Sequence, residues 1–301
     1  LDLTGSITPI LPREQGIGRG QQPLTYLADV TQKAGGNLTT TYAAWPSYLT
    51  SENKAFTFAE TPASGAFTIA DFSRNGQASL EAWNSRIAAE IYVADSAAAV
   101  IEEREAGKTR PPLADWVQHG AVLGLQGGTD KVRTVVSQMQ KAGTQISGVW
   151  LQDWTGKRTT SFGDRLWWTW QLDRQRYPGW RKLVRDLNDQ GIEVLTYINP
   201  WLVDAAQKGD PDIDNLFQHA VDEGYVVKTQ SGQPYLMDQN GFDAVLVDFT
   251  NPAARDWYAD VIAEEVLGAG AAGFMADFGE ALPFDEAAFR QAQRGALARA
   301  L

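Results

Sequence analysis

From His119 onward the chain alternates short apolar runs with amphipathic stretches, and this alternation constrains its fold more than any other feature. The apolar runs have the length of strands, and the stretches between them have helical periodicity and end at glycine. Near-continuous apolar strands that alternate with helices are typical of a parallel sheet covered by helices. The sequence therefore predicts an α/β fold, and both a doubly wound sheet and a (β/α)8 barrel fit the pattern.

Four apolar runs are the predicted strands of this sheet: GAVLGLQGG, ISGVWLQDW, IEVLTYINP and AGFMADFGE. Between the third and fourth runs the sequence predicts a further helix over Leu216–Gly224, a short strand in DAVLVDFTNP and a helix that begins at Pro252. No GxGxxG turn follows the first run, which disfavours a dinucleotide-binding fold.

The first part of the chain has a different texture, rich in Ser, Thr and Gly. Its segments AFTFAET and AFTIADF alternate apolar and polar residues, as half-buried strands do, and RIAAEIYVAD is a further predicted strand. A helix over Ser96–Glu105 leads to the linker GKTRPPL. We therefore predict a β-sandwich portion with a linker helix over residues 1–108 and the helix-covered sheet over residues 109–301.

The composition argues against several classes of function. The chain has no cysteine and two histidines, so disulfides are excluded and a His-rich metal site is disfavoured. Its net charge of −11 argues against nucleic acid as a partner. No run approaches the roughly 18 apolar residues of a membrane span, and the first residues do not resemble a secretion signal, so a cytoplasmic location is expected. The eleven tryptophans could bind carbohydrate by stacking on sugar rings, or they could be large residues of the core.

Polar side chains stand at the carboxyl ends of the four predicted strands. These residues are Gln126, Gln152 with Asp153, Asn199 and Asp277. Barrel enzymes build their active sites at this edge of the sheet. One such residue could simply cap the next helix, but the same feature on four strands makes capping a weaker explanation.

Asp277 ends the apolar segment FMADF, where a carboxylate is costly unless it is paired or functional. It could be a nucleophile aimed into a pocket, as in retaining glycosidases, which place a second carboxyl about 5–5.5 Å away. It could equally be a helix cap or half of a salt bridge. Spacing alone leaves both interpretations open.

A basic and aromatic cluster occupies the segment QDWTGKRTTSFGDRLWW. The planar donor fork of arginine suits oxyanions, and an indole adds a neutral donor while its ring excludes water. The cluster could hold an anionic group on a sugar, or the loop could be pinned to acidic neighbours such as Asp164 and Asp173. Its members are Lys157, Arg158, Arg165, Trp154, Trp167 and Trp168.

In order and spacing, these segments resemble glycoside hydrolase family 31, and within it the sulfoquinovosidase branch. The resemblance runs through GIGRG, GAVLGLQGG, GVWLQDW, YINP, DFTNPAARDWY and MADFGE. It implies a β-sandwich portion followed by the first half of a (β/α)8 TIM-type barrel. General α-glucosidases of the family carry an Asp-x-Asp pattern after the second strand, whereas the corresponding stretch here begins with Gln152.

The resemblance also implies roles for individual residues. Asp277 would be the catalytic nucleophile, with Glu280 at the position of a site glutamate. Four residues would bind a sulfonate: Gln126, Gln152, Arg165 and Trp168. Neither a metal nor a cofactor is implied, because two carboxylates suffice for glycoside hydrolysis. The expected partner is a small-molecule sulfosugar glycoside, and a homo-oligomeric state stays open.

The leading hypothesis is a retaining α-glycosidase that hydrolyses α-sulfoquinovosides, such as sulfoquinovosyl glycerol or sulfolipid-derived glycosides, by double displacement. One alternative is a family 31 enzyme for a neutral glucoside or xyloside, and another is a non-catalytic sulfosugar-binding fragment. The family's acid/base residue lies on a later barrel strand, so none can be assigned here. We therefore expect an incomplete barrel of four βα units and a chain that is a fragment of a longer protein.

Overall fold

The computed structural model describes residues 5, 7–9, 18, 20–32, 35–36, 47–58, 68–74, 76–82, 88–160, 163–229, 231–239 and 241–277. They divide into two compact units, which separate between Pro111 and Pro112. Glu280 and most of the GIGRG segment lie outside the described residues.

The first unit contains two small antiparallel sheets, with strand orders β1-β4-β5 and β2-β3-β6. Its strands are β1 (Ile7–Pro9), β2 (Ser47–Leu49), β3 (Lys54–Phe58), β4 (Thr68–Asp71), β5 (Ser79–Ala82) and β6 (Ala89–Val93). Its helices are α1 (Leu24–Gln32) and α2 (Ala97–Glu105). Helix α2 begins after Ser96, whose hydroxyl accepts a hydrogen bond from the Ala99 amide at 3.2 Å. The predicted strands and α2 are confirmed, whereas α1 was not predicted.

The second unit contains a four-stranded parallel sheet with helices between its strands, together with shorter antiparallel strands. Its strands are β7 (Ala121–Leu125), β8 (Ile146–Leu151), β9 (Lys157–Thr160), β10 (Gly163–Leu166), β11 (Glu193–Ile198), β12 (Trp201–Leu202), β13 (Met237–Asp238), β14 (Asp243–Leu246) and β15 (Gly273–Ala276). Its α-helices are α3 (Thr129–Lys141), α4 (Trp180–Asn188), α5 (Leu216–Asp222) and α6 (Pro252–Val261). A π-helical segment, Ile262–Leu267, continues α6.

The spatial order of the parallel strands is β7-β8-β11-β15, the same as their order along the chain. A doubly wound sheet reverses its strand order at a switch point, whereas a barrel adds each strand beside the previous one. The sequential order therefore favours the barrel over the doubly wound alternative that the sequence left open.

Burial follows the position of each element in this sheet. Five of the six residues of the central strand β8 are buried. Helix α4 buries Trp180, Leu183, Val184 and Leu187, the i, i+3, i+4, i+7 spacing of a helix packed on one face. The Trp180 indole also donates to the Ala269 carbonyl at 2.7 Å, which fixes α4 to the segment before β15.

Between β11 and α6 the chain forms a three-stranded antiparallel sheet, β12-β14-β13. Its residues form a second apolar cluster with Trp167, and Trp201 and Phe242 are among the members. This insertion confirms the predicted short strand and the helix α5. In the part of the chain that the structure describes, no helix combines the length and the apolar character needed to cross a membrane.

Candidate active site

Two glutamines meet where β7 and β8 end. The parallel register pairs Leu125 with Leu151, so the next residues, Gln126 and Gln152, stand side by side. The Gln126 Nε2 donates a hydrogen bond to the Gln152 Oε1 at 2.5 Å. The structure thus brings together two of the four residues that were predicted to bind an anion.

Asp277 lies at the same edge of the sheet, directly after β15. The register pairs Ile198 with Ala276, and the Asp277 amide continues the ladder by donating to the Ile198 carbonyl at 3.1 Å. The hydroxyl of Tyr197 donates to Oδ2 of Asp277 at 2.9 Å and accepts from the Asn199 Nδ2 at 3.2 Å. This hydroxyl donor fixes the direction of the Asp277 carboxylate at the edge of the sheet.

Tyr197 is a site residue that the sequence reasoning missed. Its ring is buried between two tryptophans, with centroids 6.4 Å from Trp150 and 6.0 Å from Trp170. The Trp154 indole donates to its carbonyl at 2.7 Å. Tyr197 lies two residues before Asn199, and side chains at i and i+2 of a strand share a face. This spacing was the sequence signal that could have placed Tyr197 beside the site.

Asp153 is fully buried and acts as a fixed acceptor for three neighbours. Its carboxylate accepts from the Gly127 amide at 2.9 Å, the Arg176 Nε at 2.6 Å and the Tyr177 hydroxyl at 2.5 Å. Burial, followed by the hydrogen bond to Asp153, raises the pKa of Tyr177, so its hydroxyl stays protonated as a donor. Asp153 directly follows Gln152, and it accepts from Gly127, which directly follows Gln126. It therefore links the loop after β7 to the loop after β8.

A hairpin of β9 and β10 follows β8 and carries the two arginines of the predicted basic cluster. Its antiparallel register places Arg158 directly opposite Arg165. The backbone of Gly156 closes the base of the hairpin by accepting from the Trp167 amide at 3.0 Å. The buried Thr155 hydroxyl adds a bond to the Trp167 carbonyl at 2.5 Å.

The acidic neighbours of this hairpin do not pin its arginines. Asp164 accepts from the Thr159 hydroxyl at 3.0 Å, on the other face of the ribbon. Asp173 is paired with the largely buried Lys208 at 2.9 Å. Among the described residues, neither carboxylate is therefore paired with Arg158 or Arg165. Within the described ranges, no group of three or more His, Asp or Glu residues could hold a metal ion.

The tryptophans divide between core and site. Trp154 and Trp170 are fully buried, so their role is in the core. Trp168 follows β10 and is half-buried, with its ring centroid 6.2 Å from Trp201 and 5.3 Å from Phe242. Its carbonyl accepts from the Val203 amide at 3.2 Å. These contacts fix Trp168 on the hairpin beside the insertion.

Residues 116–297 match the model of the glycosyl hydrolases family 31 TIM-barrel domain, which is more than half of the chain. A solved structure of a family 31 sulfoquinovosidase from E. rectale, in complex with an aza-sugar inhibitor, is similar with a TM-score of 0.83 and 31% identity. That similarity covers 99% of this chain and 46% of the solved chain.

Three curated proteins illustrate the range of relatives. Sulfoquinovosidase from Agrobacterium fabrum is 38% identical over 288 residues, which are 94% of this chain and 41% of that protein. Sulfoquinovosidase from Escherichia coli is 35% identical over 286 residues, 94% of this chain and 40% of that protein. An α-xylosidase from Lactiplantibacillus pentosus is 35% identical over 127 residues, 41% of this chain and 15% of that protein. The chain spans about two fifths of the length of the two sulfoquinovosidases.

Proposed function

Because the chain belongs to family 31 of the glycosyl hydrolases, we propose that it carries the nucleophile half of a retaining α-glycosidase active site. The family and the TIM-barrel domain that the sequence predicted are confirmed. The proposed substrate class is an α-sulfoquinovoside, such as sulfoquinovosyl glycerol or a sulfolipid-derived glycoside. The observation that carries the proposal is the position of Asp277 at the carboxyl edge of the sheet, with Tyr197 bonded to its carboxylate.

The proposed reaction is a double displacement. An oxygen of Asp277 attacks the anomeric carbon while the bond to the aglycone oxygen breaks, and an acid/base carboxyl outside the described residues protonates that oxygen. The same acid/base group then takes a proton from water, which attacks the anomeric carbon and releases Asp277. Glu280 is proposed as a further site carboxylate and lies outside the described residues. Tyr197 would fix the direction of the Asp277 carboxylate through its hydrogen bond.

The sulfonate is proposed to bind Gln126, Gln152, Arg165 and Trp168. A sulfonate is a permanent anion with three acceptor oxygens, which a guanidinium, an indole and an amide can satisfy together. A neutral glutamine after β8 avoids the repulsion that a carboxylate would add. The similarity of nearly the whole chain to two sulfoquinovosidases supports this specificity.

The proposed context of this site is the first half of an eight-stranded barrel. Its four strands would be β7, β8, β11 and β15, which lie in sequential order. The domain bounds, 1–108 for the β-sandwich portion and 109–301 for the barrel portion, stay proposals. The chain spans about two fifths of the length of the two curated sulfoquinovosidases, and the acid/base residue is proposed to lie outside the described residues.

An alternative proposal is an enzyme that hydrolyses a neutral α-glycoside. The similarity of part of the chain to an α-xylosidase favours this alternative. The test compares kcat/KM of the full protein on nitrophenyl α-sulfoquinovoside and nitrophenyl α-glucoside. We expect kcat/KM to be at least about a hundredfold higher for the sulfoquinovoside. The variant Arg165→Met should remove this preference, because it lowers kcat/KM for the anionic substrate only. Equal rates on the two substrates would contradict the sulfonate assignment, and binding without turnover would point to a sulfosugar-binding protein instead.

A further inference from the structure

Arg158 is a cation with unused hydrogen-bonding capacity. Its guanidinium carbon lies 4.2 Å from the ring centroid of Trp167 and 3.5 Å from that of Phe242, so aromatic rings cover it. Its Nε and Nη2 atoms are buried and have no hydrogen-bond partner among the described residues. Burial lowers the pKa of Arg158 to about 10, which still leaves it charged at neutral pH. A buried charge without a counterion is costly, so a ligand that supplied one would be favoured.

The second cation stands directly across the hairpin. Arg165 is the cross-strand partner of Arg158, and partners in an antiparallel pair project from the same face. The Arg165 Nε is also buried without a partner in the described part of the chain. Two like charges at directly opposed positions destabilise a hairpin. An anion bound by both guanidiniums would remove the repulsion and satisfy the unpartnered donors.

The surroundings of the pair suit an anion of low hydration. The nearest acidic residue on the hairpin, Asp164, occupies the other face with Thr159. Trp167 and Phe242 are both buried and supply apolar walls around Arg158. Charge attraction is stronger where such walls keep water away. The geometry therefore offers two positive charges and no opposing carboxylate on this face of the ribbon, within the residues that the structure describes.

We propose that Arg158 is a specificity-determining residue of the sulfonate site, a second cation that acts together with Arg165. This inference rests on the proposed function, because it deepens the recognition of the same anionic group. The pair would favour a sugar that carries a permanently charged sulfonate over a sugar that carries a neutral hydroxymethyl group. Arg158 contributes through its charge and its unpartnered donors, and the rings of Trp167 and Phe242 hold it in place.

The test replaces Arg158 with Met in the full protein, because Met keeps an apolar side chain of similar length between the two rings. We expect kcat/KM for nitrophenyl α-sulfoquinovoside to fall about tenfold, mostly through KM, while that for nitrophenyl α-glucoside stays within about twofold. The matched control is Lys157→Met, which removes the same charge from the adjacent residue on the other face of the hairpin. Lys157→Met should leave both substrates unchanged.

The outcomes separate this inference from the proposed function. If the wild-type protein has no preference for the sulfoquinovoside, the proposed function fails. If the wild type prefers it and Arg165→Met removes the preference, but Arg158→Met keeps it, only the role of Arg158 is overturned. A second variant, Arg158→Lys, retains the charge if Met prevents folding, and it should keep most of the preference. Equal losses on both substrates in either variant would show a structural role and overturn the inference.

Discussion

At the residue scale, the contact between Tyr197 and Asp277 determines how the proposed nucleophile is held. The tyrosine hydroxyl donates to the carboxylate, and the Asn199 amide in turn donates to the hydroxyl. This chain of donors fixes the direction of the carboxylate. The proposed nucleophile is therefore oriented by the neighbouring strand and not by its own strand alone.

The first prediction concerns Tyr197→Phe, which removes this donor and keeps the ring. A hydrogen bond to a charged group contributes about 1.5–3 kcal/mol, so kcat should fall roughly tenfold to a hundredfold with little change in KM. The control is Tyr258→Phe, which removes a buried hydroxyl that bonds to the Asn199 carbonyl and not to Asp277. Equal kcat values for Tyr197→Phe and the wild type would show that the contact has no catalytic role.

The sequence could predict the positions of Gln126, Gln152 and Asp277, because residues that end parallel strands meet at one edge of a sheet. It could not predict that Asp153 is bonded to Arg176 and Tyr177. Those partners lie in an irregular segment between β10 and α4, where no periodicity relates sequence to direction. Nor could the sequence predict that Asp173 pairs with Lys208, which lies beyond β12.

At the element scale, the hairpin β9–β10 depends on a crowded glycine at its base. Gly156 has a φ of +90°, and an added Cβ would lie 2.1 Å from the Asp173 Oδ2. Gly163, at the other end of the hairpin, has a φ of +93° but nothing within 4 Å of such an atom. The two glycines thus separate the effect of backbone strain from that of a collision.

The second prediction compares Gly156→Ala with Gly163→Ala. Gly163→Ala should cost about 1 kcal/mol of unfolding free energy from its backbone conformation alone. Gly156→Ala should cost several kcal/mol, because the methyl group must displace the buried Asp173–Lys208 pair. Urea unfolding measures both values. Similar losses for the two variants would contradict the crowding at the base of the hairpin.

The third prediction concerns the buried acceptor that ties the loops after β7 and β8. Asp153→Ala leaves Arg176 without its partner and should cost about 3–5 kcal/mol of unfolding free energy. The control is Asp164→Asn, which changes a hairpin carboxylate with one hydrogen bond and should cost about 0.5 kcal/mol or less. Equal urea midpoints for the two variants would contradict the proposed tie between the loops.

Elements with a regular pattern were predictable and short irregular ones were not. Helix α4 shows its apolar spacing in the sequence, and β8 is a continuous apolar run. The hairpin β9–β10 was interpreted as a loop, because its residues are mostly polar and its strands are four residues each. Its register, which sets Arg158 against Arg165, depends on cross-strand pairing that no local pattern specifies.

At the scale of the whole molecule, the order of the strands favours a barrel over the doubly wound sheet, which the alternating pattern alone also fits. Both folds alternate strands and helices, so they share one sequence pattern and differ in where each strand is added. The described sheet has β7 and β15 at its edges. Val122 of β7 and Met275 of β15 are 44% and 43% exposed, so apolar surface remains at both edges.

The fourth prediction follows from those edges. If further strands complete the barrel, as proposed, they cover β7 and β15. The 301-residue chain expressed alone should then bind more of a hydrophobic dye such as ANS, per molecule, than the full protein does. Fluorescence titration of both preparations measures the difference. Equal dye binding would contradict the proposal that further strands complete the sheet.

The proposal that Asp277 is the nucleophile is tested most directly by trapping the covalent intermediate. The full protein is treated with a fluorosugar or cyclitol inactivator of the sulfoquinovoside type, and the labelled peptide is mapped by mass spectrometry. We predict one glycosyl adduct on Asp277, and no adduct in an Asp277→Ala variant that is shown to be folded. An adduct on a different residue, or complete inactivation without any adduct on Asp277, would contradict the account.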